Sequence, residues 1–561
     1  MTNHPAFSLI HRQSIDSLNL DVEHYRHNVT GADHYHLACD DPQNVFMVAL
    51  RTVPMDSTGV AHILEHTVLC GSEKFPVRDP FFMMIRRSLN TFMNALTASD
   101  WTAYPFATEN RKDFDNLLQV YLDAVFFPQI DPLDFAQEGH RLEFETIDDP
   151  KSDLTYKGVV FNEMKGAMSS PVATLFQKVT EALYPTGTYH YNSGGDPAEI
   201  PKLTHAQMKA FHQTHYHPSN AVFLTYGDIP AGDHQAKFED LALSRFDRSI
   251  DKTLVGKTER LSAPKSVEST YALNEDDLSK KTHIVLSWLL GENQDPMAVL
   301  KGHLLSSVLL DNSASPLRQA LEDCEWATAP SPLCGFEDGN KEMAFAAGVQ
   351  GSEPEHAQAV EDLIMTTLQK VAKEGVPQED VEAMLHQLEF GQREVGGDGF
   401  PYGLQLIMQA LPGALHEGDP IALLDVDEAL LQLRKDIENP RFIPDLIQSW
   451  ILDNPHRVRL TMKPDPDKAD REAAAEKARL ASTQAALTEA EKTAIIEQAQ
   501  ALQARQDEDD DPSMLPEVTK NDVPETLKQI DPVHRASTEV PYQTYEAGTN
   551  GLTYLQMVMD L

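Results

Sequence analysis

Residues 57–81 read STGVAHILEHTVLCGSEKFPVRDPF and set His62, Glu65 and His66 among Val60, Ile63, Leu64 and Val68. On a helix, positions i and i+4 share a face one turn apart, so His62 and His66 can grip one ion. Glu65 precedes the second histidine and projects toward the same region. Zinc suits this set: it takes imidazole and carboxylate ligands, and a catalytic site needs a third protein ligand and an open fourth position. Its Lewis acidity lowers the pKa of a water toward about 7, and Glu65 is placed to take the proton during attack on a carbonyl. The competing reading is a surface helix with a histidine pair, since a bare His-x-x-Glu-His also arises by chance. Val60, Ile63 and Leu64 weigh against it, because they make most of the helix surface apolar. The third ligand should be a carboxylate from another helix. Glu163 in FNEMKG is one candidate, although alone it reads equally as a helix-start carboxylate favoured by the dipole. Glu143 and Glu145 stand level with it on residue type.

The elements that must hold these residues are legible in part. NVFMVALRTV, residues 44–53, is a strand after the turn-like CDDPQ. A helix follows from about Gly59, with Ser57 or Thr58 as its cap. KDFDNLLQVYLDAVFF, 112–127, lines Phe114, Leu117, Leu118, Tyr121, Leu122 and Val125 along one helix face. LTYKGVVFNEMKGAMSS opens as a strand or turn and runs into a helix; SNAVFLTYGDI, 219–229, is a buried strand. The pattern restarts at 281–310 with strand, polar turn and helix, then EMAFAAGVQG as a strand and EHAQAVEDLIMTTLQKVAKEG as a helix stopped by glycine. The spacing of about 240 residues fits a duplicated domain, and the second copy has no His-x-x-Glu-His. From Pro464 an Ala-, Glu-, Gln- and Lys-rich stretch reads as two helices, broken near Ser482–Thr488 and stopped by Pro512. The acidic DEDDD at its end lacks the glycine and closing glutamate of a calcium loop and reads as a solvated helix end. Asn550–Gly551 signals a hairpin followed by an apolar strand, the opening of a third copy.

These readings give an α+β chain of two tandem homologous domains, each a mainly antiparallel sheet with helices packed on it. The divisions are 1–255 for the zinc domain, 256–463 for the second, non-catalytic copy, 464–535 for a helical hairpin linker and 536–561 for the first strands of a third domain. Lys+Arg total 46 and Asp+Glu 87, a formal charge of −41. Nucleic-acid binding needs a basic face, and anionic membranes attract basic segments, so both are disfavoured. The plain meaning of the charge is solubility; the sharper one is an acidic chamber that draws in basic peptides. No run reaches the roughly 18 apolar residues of a membrane span, and MTNHPAFSLIHRQSIDSLNL lacks the features of a signal or transit peptide. The expected location is therefore the bacterial cytoplasm, with the mitochondrial matrix or another organelle as the alternative if a leader has been removed. Cys39, Cys70, Cys324 and Cys334 form no CxxC and fit reduced thiols.

The motif His62-Ile-Leu-Glu65-His66, together with NALTASDWTAYPFAT, YLDAVFFP, LTYKGVVFNEMKGAMSSP, SGGDP, FHQTHYHPSNA and GDGFPYGL, resembles the presequence protease branch of the pitrilysin/insulin-degrading-enzyme superfamily, the inverted zincins. The similarity runs along essentially the whole chain, which looks like the N-terminal half of such a protein plus its linker. The resemblance implies one zinc per chain on His62, His66 and Glu163, with Glu65 as general base. The separation 163 − 66 = 97 is the one this branch leads us to expect. It also implies that Asn94 and Ala95 lie on an edge strand where substrate pairs by β-augmentation. The implied activity is endoproteolysis of short unstructured peptides inside a clamshell chamber. A separate C-terminal half is an implied partner, because the family's substrate-holding Arg and Tyr from the last domain are absent here. Related non-catalytic subunits give the alternative function, and many of those have lost the zinc motif. Two positions depart from the pattern: His140 stands in QEGHRLE where an aromatic is expected and reads as a packing variant, and Leu96 replaces a commoner Phe. Cys70, one turn beyond His66, reads as a small core residue.

Overall fold

The computed structural model of the chain describes residues 3–396, 399–507, 510–526, 530–536 and 541–559. Its first sheet has eight strands: β1 (Phe7–Ile15), β2 (Leu20–His27), β3 (Asp33–Ala38), β4 (Asn44–Arg51), β5 (Asn90–Met93), β6 (Leu96–Thr97), β7 (Trp101–Thr108) and, beyond a small separate hairpin of β8 (Arg141–Phe144) and β9 (Leu154–Lys157), β10 (Ala221–Gly227). The order is β1-β2-β3-β10-β4-β7-β5, with β6 also on β7. Every pairing is antiparallel except β10 with β3.

The second sheet repeats this plan with β11 (Lys265–Ala272), β12 (Thr282–Glu292), β13 (Ala329–Pro330), β14 (Gly335–Glu337), β15 (Glu342–Ser352) and β16 (Arg457–Asp465). Its order is β11-β16-β12-β15-β13, with β14 on β15, and its one parallel pair is β11 with β16. In both sheets the last long strand of the copy slips between earlier strands and makes the parallel pair. That shared topology is what a duplicated domain should leave behind, and the fold is the expected α+β one.

β4 shows why its sequence reads as an unbroken apolar run: all eight of its residues are buried. Phe46, Val48 and Leu50 face a core shared with the helix Val60–Val68, while Val45, Met47 and Ala49 face a second core on the other side. A strand covered on both faces has no reason to alternate. The second cover comes from far along the chain. Leu404, Ile407 and Leu411 of the helix Tyr402–Leu415 pack on the first sheet. In return, Leu175 and Val179 of the helix Pro171–Leu183 pack on Val285, Leu460 and Met462 of the second. Each copy thus lends the other a helix, and the chain division at 255/256 crosses both exchanges. Fully burying one such leucine or valine contributes about 1.5–3 kcal/mol, so the exchange ties the two sheets together.

The linker forms the helices Lys468–Ala486 and Glu489–Asp507. Thr488 and Glu491 cap the second of them reciprocally: Thr488 N donates to Glu491 Oε2 and Glu491 N to Thr488 Oγ1. Of the acidic run that follows, residues 508 and 509 lie outside the described residues; Asp510 accepts from the Arg78 backbone and Asp511 from Ser513 N. The turn at Asn550–Gly551 forms, with φ of 49° and 79°. The apolar strand expected after it does not: residues 552–559 carry no regular structure, and Leu555 and Val558 are 87% and 86% exposed. A lone hairpin buries too little to stand by itself. Among the described residues of this region, strand pairing is confined to β17 (His534–Ala536) with β18 (Tyr542–Thr544). No helix among the described residues is long and apolar enough to cross a membrane.

Candidate metal centre

The motif helix Val60–Val68 buries seven of its nine residues, leaving only His62 and His66 half-buried. It starts at Gly59 and not from a Ser57 or Thr58 cap, since no side chain caps it. Ser57 Oγ instead accepts from Asn192 N, and Thr58 is bonded to Asp56. Gly59 has φ +70°, and a Cβ there would lie 2.8 Å from the Gly194 carbonyl oxygen. Only glycine lets that carbonyl approach, and the approach has a use. His62 Nδ1 lies 3.0 Å from Gly194 O. A carbonyl only accepts, so Nδ1 carries the proton and Nε2 keeps its lone pair. His66 Nδ1 is 3.1 Å from Glu138 Oε2, which fixes the same tautomer. Both imidazoles therefore aim bare Nε2 atoms the same way, each held through its other nitrogen as metal-binding histidines usually are.

Glu163 is brought to them by close packing. Its helix, Val159–Ala167, follows Gly158, whose Cβ position falls 2.1 Å from Gly139 O. Gly139 in turn sits against Ile63 of the motif helix and directly follows Pro132–Glu138, the helix that carries Glu138. Glu163 Oε2 lies 3.8 Å from His62 Nε2 and 3.7 Å from His66 Nε2. Donors about 2.0–2.2 Å from a tetrahedral ion stand roughly 3.4 Å apart, so the three atoms fit one zinc. Among the described residues this is the one group of three or more such side chains able to hold a metal. The side chain of Glu163 is 51% exposed, so the site opens to solvent on that side. Glu143 is spent elsewhere, paired with Arg141 and Lys157, and neither it nor Glu145 joins the group.

Glu65 is buried beside the ligands, and its Oε2 accepts from Thr97 Oγ1 at 2.7 Å. Thr97 belongs to β6, so the carboxylate is tied to the sheet edge. Asn94 and Ala95, expected on that edge strand, occupy the break between β5 and β6. The partner residue explains the break. Asn94 N donates to Pro105 O, but Pro105 has no N–H to return. The Tyr121 hydroxyl lies 3.3 Å from Asn94 O and takes that place. His140 packs edge-on to Phe135 and bonds Leu203 O, which agrees with a packing role. Cys70 is buried, and burial pushes its thiol well above its ordinary value. Sequence reasoning missed Thr97, Glu138 and Gly194. Glu138 lies within the quoted QEGHRLE and Gly194 within SGGDP, but neither residue type announces a partner.

Three stretches of the chain match known family descriptions. Residues 51–169 match "Insulinase (Peptidase family M16)" and 202–388 match "Peptidase M16 inactive domain". Residues 462–561 match a further domain described as associated with the same peptidases. The chain belongs to peptidase family M16. Within M16 it falls in the presequence protease branch. It is 41% identical to "Presequence protease, mitochondrial" of Xenopus laevis over 98% of this chain and 53% of that protein. It is 38% identical to "Presequence protease 1, chloroplastic/mitochondrial" of Arabidopsis thaliana over 96% of this chain and 50% of that one. The M16 chain thus spans about half the length of the curated relatives it matches. Among solved structures, a protease from Helicobacter pylori aligns with TM-score 0.61 at 17% identity, over 79% of this chain and 99% of that one. The first half of the periplasmic protease PqqL from Escherichia coli aligns with TM-score 0.56 at 14% identity, over 89% and 97%. At those identities the likeness is one of fold.

Burial pulls the His66 proton off, but the Glu138 hydrogen bond and the charges of Glu65, Glu138 and Glu163 outweigh it and raise its pKa above 6.5. A metal must displace that proton, so zinc affinity should weaken as pH falls, beginning above pH 6.5. In Glu138→Gln the pKa drops and the ligand loses basicity. The expected result is an affinity about 10–100-fold lower at pH 8 with a shallower pH dependence between pH 6 and 8. Zinc titrations against a chelator at several pH values check both.

Proposed function

We propose that the M16 chain supplies the catalytic half of a zinc endopeptidase for short unstructured peptides. The observation that carries this is the convergence of His62 Nε2, His66 Nε2 and Glu163 Oε2 beside a buried Glu65 tied to a sheet edge. One zinc per chain held by these three would supply Lewis acidity to the scissile carbonyl and to a water. Glu65 Oε2 is occupied by Thr97, so Oε1 is the atom that takes the proton from water and returns it to the leaving amine. The open side of β5 and β6 offers backbone groups to an extended peptide, with Asn94 and Ala95 at its break. A folded protein has already paired its own backbone and is a poor substrate for such an edge.

The half-length match and the exposed Glu163 support a separate or following C-terminal half that completes the chamber and holds the substrate carbonyl. The charge of −41 supports peptide over nucleic-acid or anionic membrane partners. The mitochondrial and chloroplast names of the relatives favour the organelle alternative over the bacterial cytoplasm. A quenched unstructured peptide is expected to be cleaved by the zinc-loaded chain, alone or with a C-terminal half added, while a tightly folded protein of the same composition is spared. Equal cleavage of both would contradict an edge-pairing site.

A further inference from the structure

Four polar side chains are buried together where the two copies meet. Asp100, Tyr189, Asn293 and His416 are each between 2% and 4% exposed. Asp100 Oδ2 accepts from His416 Nε2 at 2.7 Å and from the Tyr189 hydroxyl at 2.8 Å. Asn293 Nδ2 donates to Asp338 O, which turns Asn293 Oδ1 toward His416 Nδ1 at 3.1 Å. Both ring nitrogens of His416 therefore face acceptors. Burying such a cluster is costly and adds little over apolar packing, so its yield is defined geometry.

The cluster sits at the root of two supports of the metal centre. Asp100 lies in the turn between β6 and β7, three residues from Thr97, which holds Glu65. Tyr189 opens the segment that leads to Gly194, whose carbonyl holds His62. Thr188 Oγ1 also donates to Ser99 O, so the turn and the segment are bonded to each other. His416 and Asn293 belong to the second copy. We propose that His416, through Asp100, is a positioning residue: the non-catalytic copy sets the geometry of the metal centre by anchoring the supports of Glu65 and His62. This rests on the zinc reading above.

The test is the zinc affinity of the metal-free full chain, titrated against a chromophoric chelator beside its thermal unfolding. His416→Phe removes the donors at similar volume and should lower zinc affinity about 10-fold or more, the range of supporting groups at metal sites. His416→Gln keeps a donor to Asp100 and should restore most of that loss. Tyr189→Phe deletes one hydroxyl, folds more readily, and should cost a few-fold. Variants that unfold at lower temperature yet bind zinc as tightly as wild type would overturn the positioning role and leave the metal reading intact. A wild-type chain that binds no zinc would overturn both.

Discussion

Glu65→Gln should lower peptide cleavage about 10²–10⁴-fold, the usual contribution of a positioned general base, under conditions where the wild-type chain cleaves. Glutamine has nearly the same shape and can still accept from Thr97 through its carbonyl oxygen. It cannot take a proton from water. Glu65 is not among the three converging ligands, so the variant should keep its zinc. The loss should fall on kcat, with KM little changed, because the missing interaction forms only as the proton moves. Steady-state kinetics and metal content on the same sample check this. Undiminished cleavage would remove Glu65 from proton transfer.

Glu163→Ala should act on the metal itself. It deletes one of three protein ligands and leaves the His62–His66 pair, so zinc affinity should fall by more than the roughly 10–100-fold expected for a supporting residue such as Glu138. The fold should hardly notice. The Glu163 side chain is half exposed and only faces the two imidazoles, and surface changes of that kind usually stay within about 0.5 kcal/mol. Metal-free wild type and variant should therefore unfold at nearly the same temperature while their zinc affinities differ widely. A variant that binds zinc like wild type would return the third ligand to the other candidates.

The two predictions also mark what could be read in the sequence. The motif helix was legible because the period of a helix is fixed, and the apolar residues around His62 and His66 do bury. β4 and the repeat of the sheet plan were legible from apolar runs and turns. Glu163 was not separable from Glu143 and Glu145 by residue type, since nothing local says which carboxylate another helix will meet. The resemblance singled it out, and the glycine packing of Gly139 and Gly158 gives the physical reason. Glu138, Gly194 and Thr97 were out of reach, because they act across 72, 132 and 32 residues of chain. The helix exchange was hidden for a similar reason: the apolar face of Tyr402–Leu415 does not say which sheet it covers. Ser57 and Thr58 looked like caps by type, yet the Gly194 carbonyl required a glycine at the helix start. Asn550–Gly551 specified a turn, and turn chemistry alone did not supply a strand to follow it.

The most direct measurement is anomalous scattering at the zinc edge from crystals of the zinc-loaded chain. The account predicts a single strong peak within bonding distance of His62 Nε2, His66 Nε2 and Glu163 Oε2, with Glu65 outside the coordination shell. A peak ligated by other residues, or no peak between these three in a chain soaked with zinc, would contradict it.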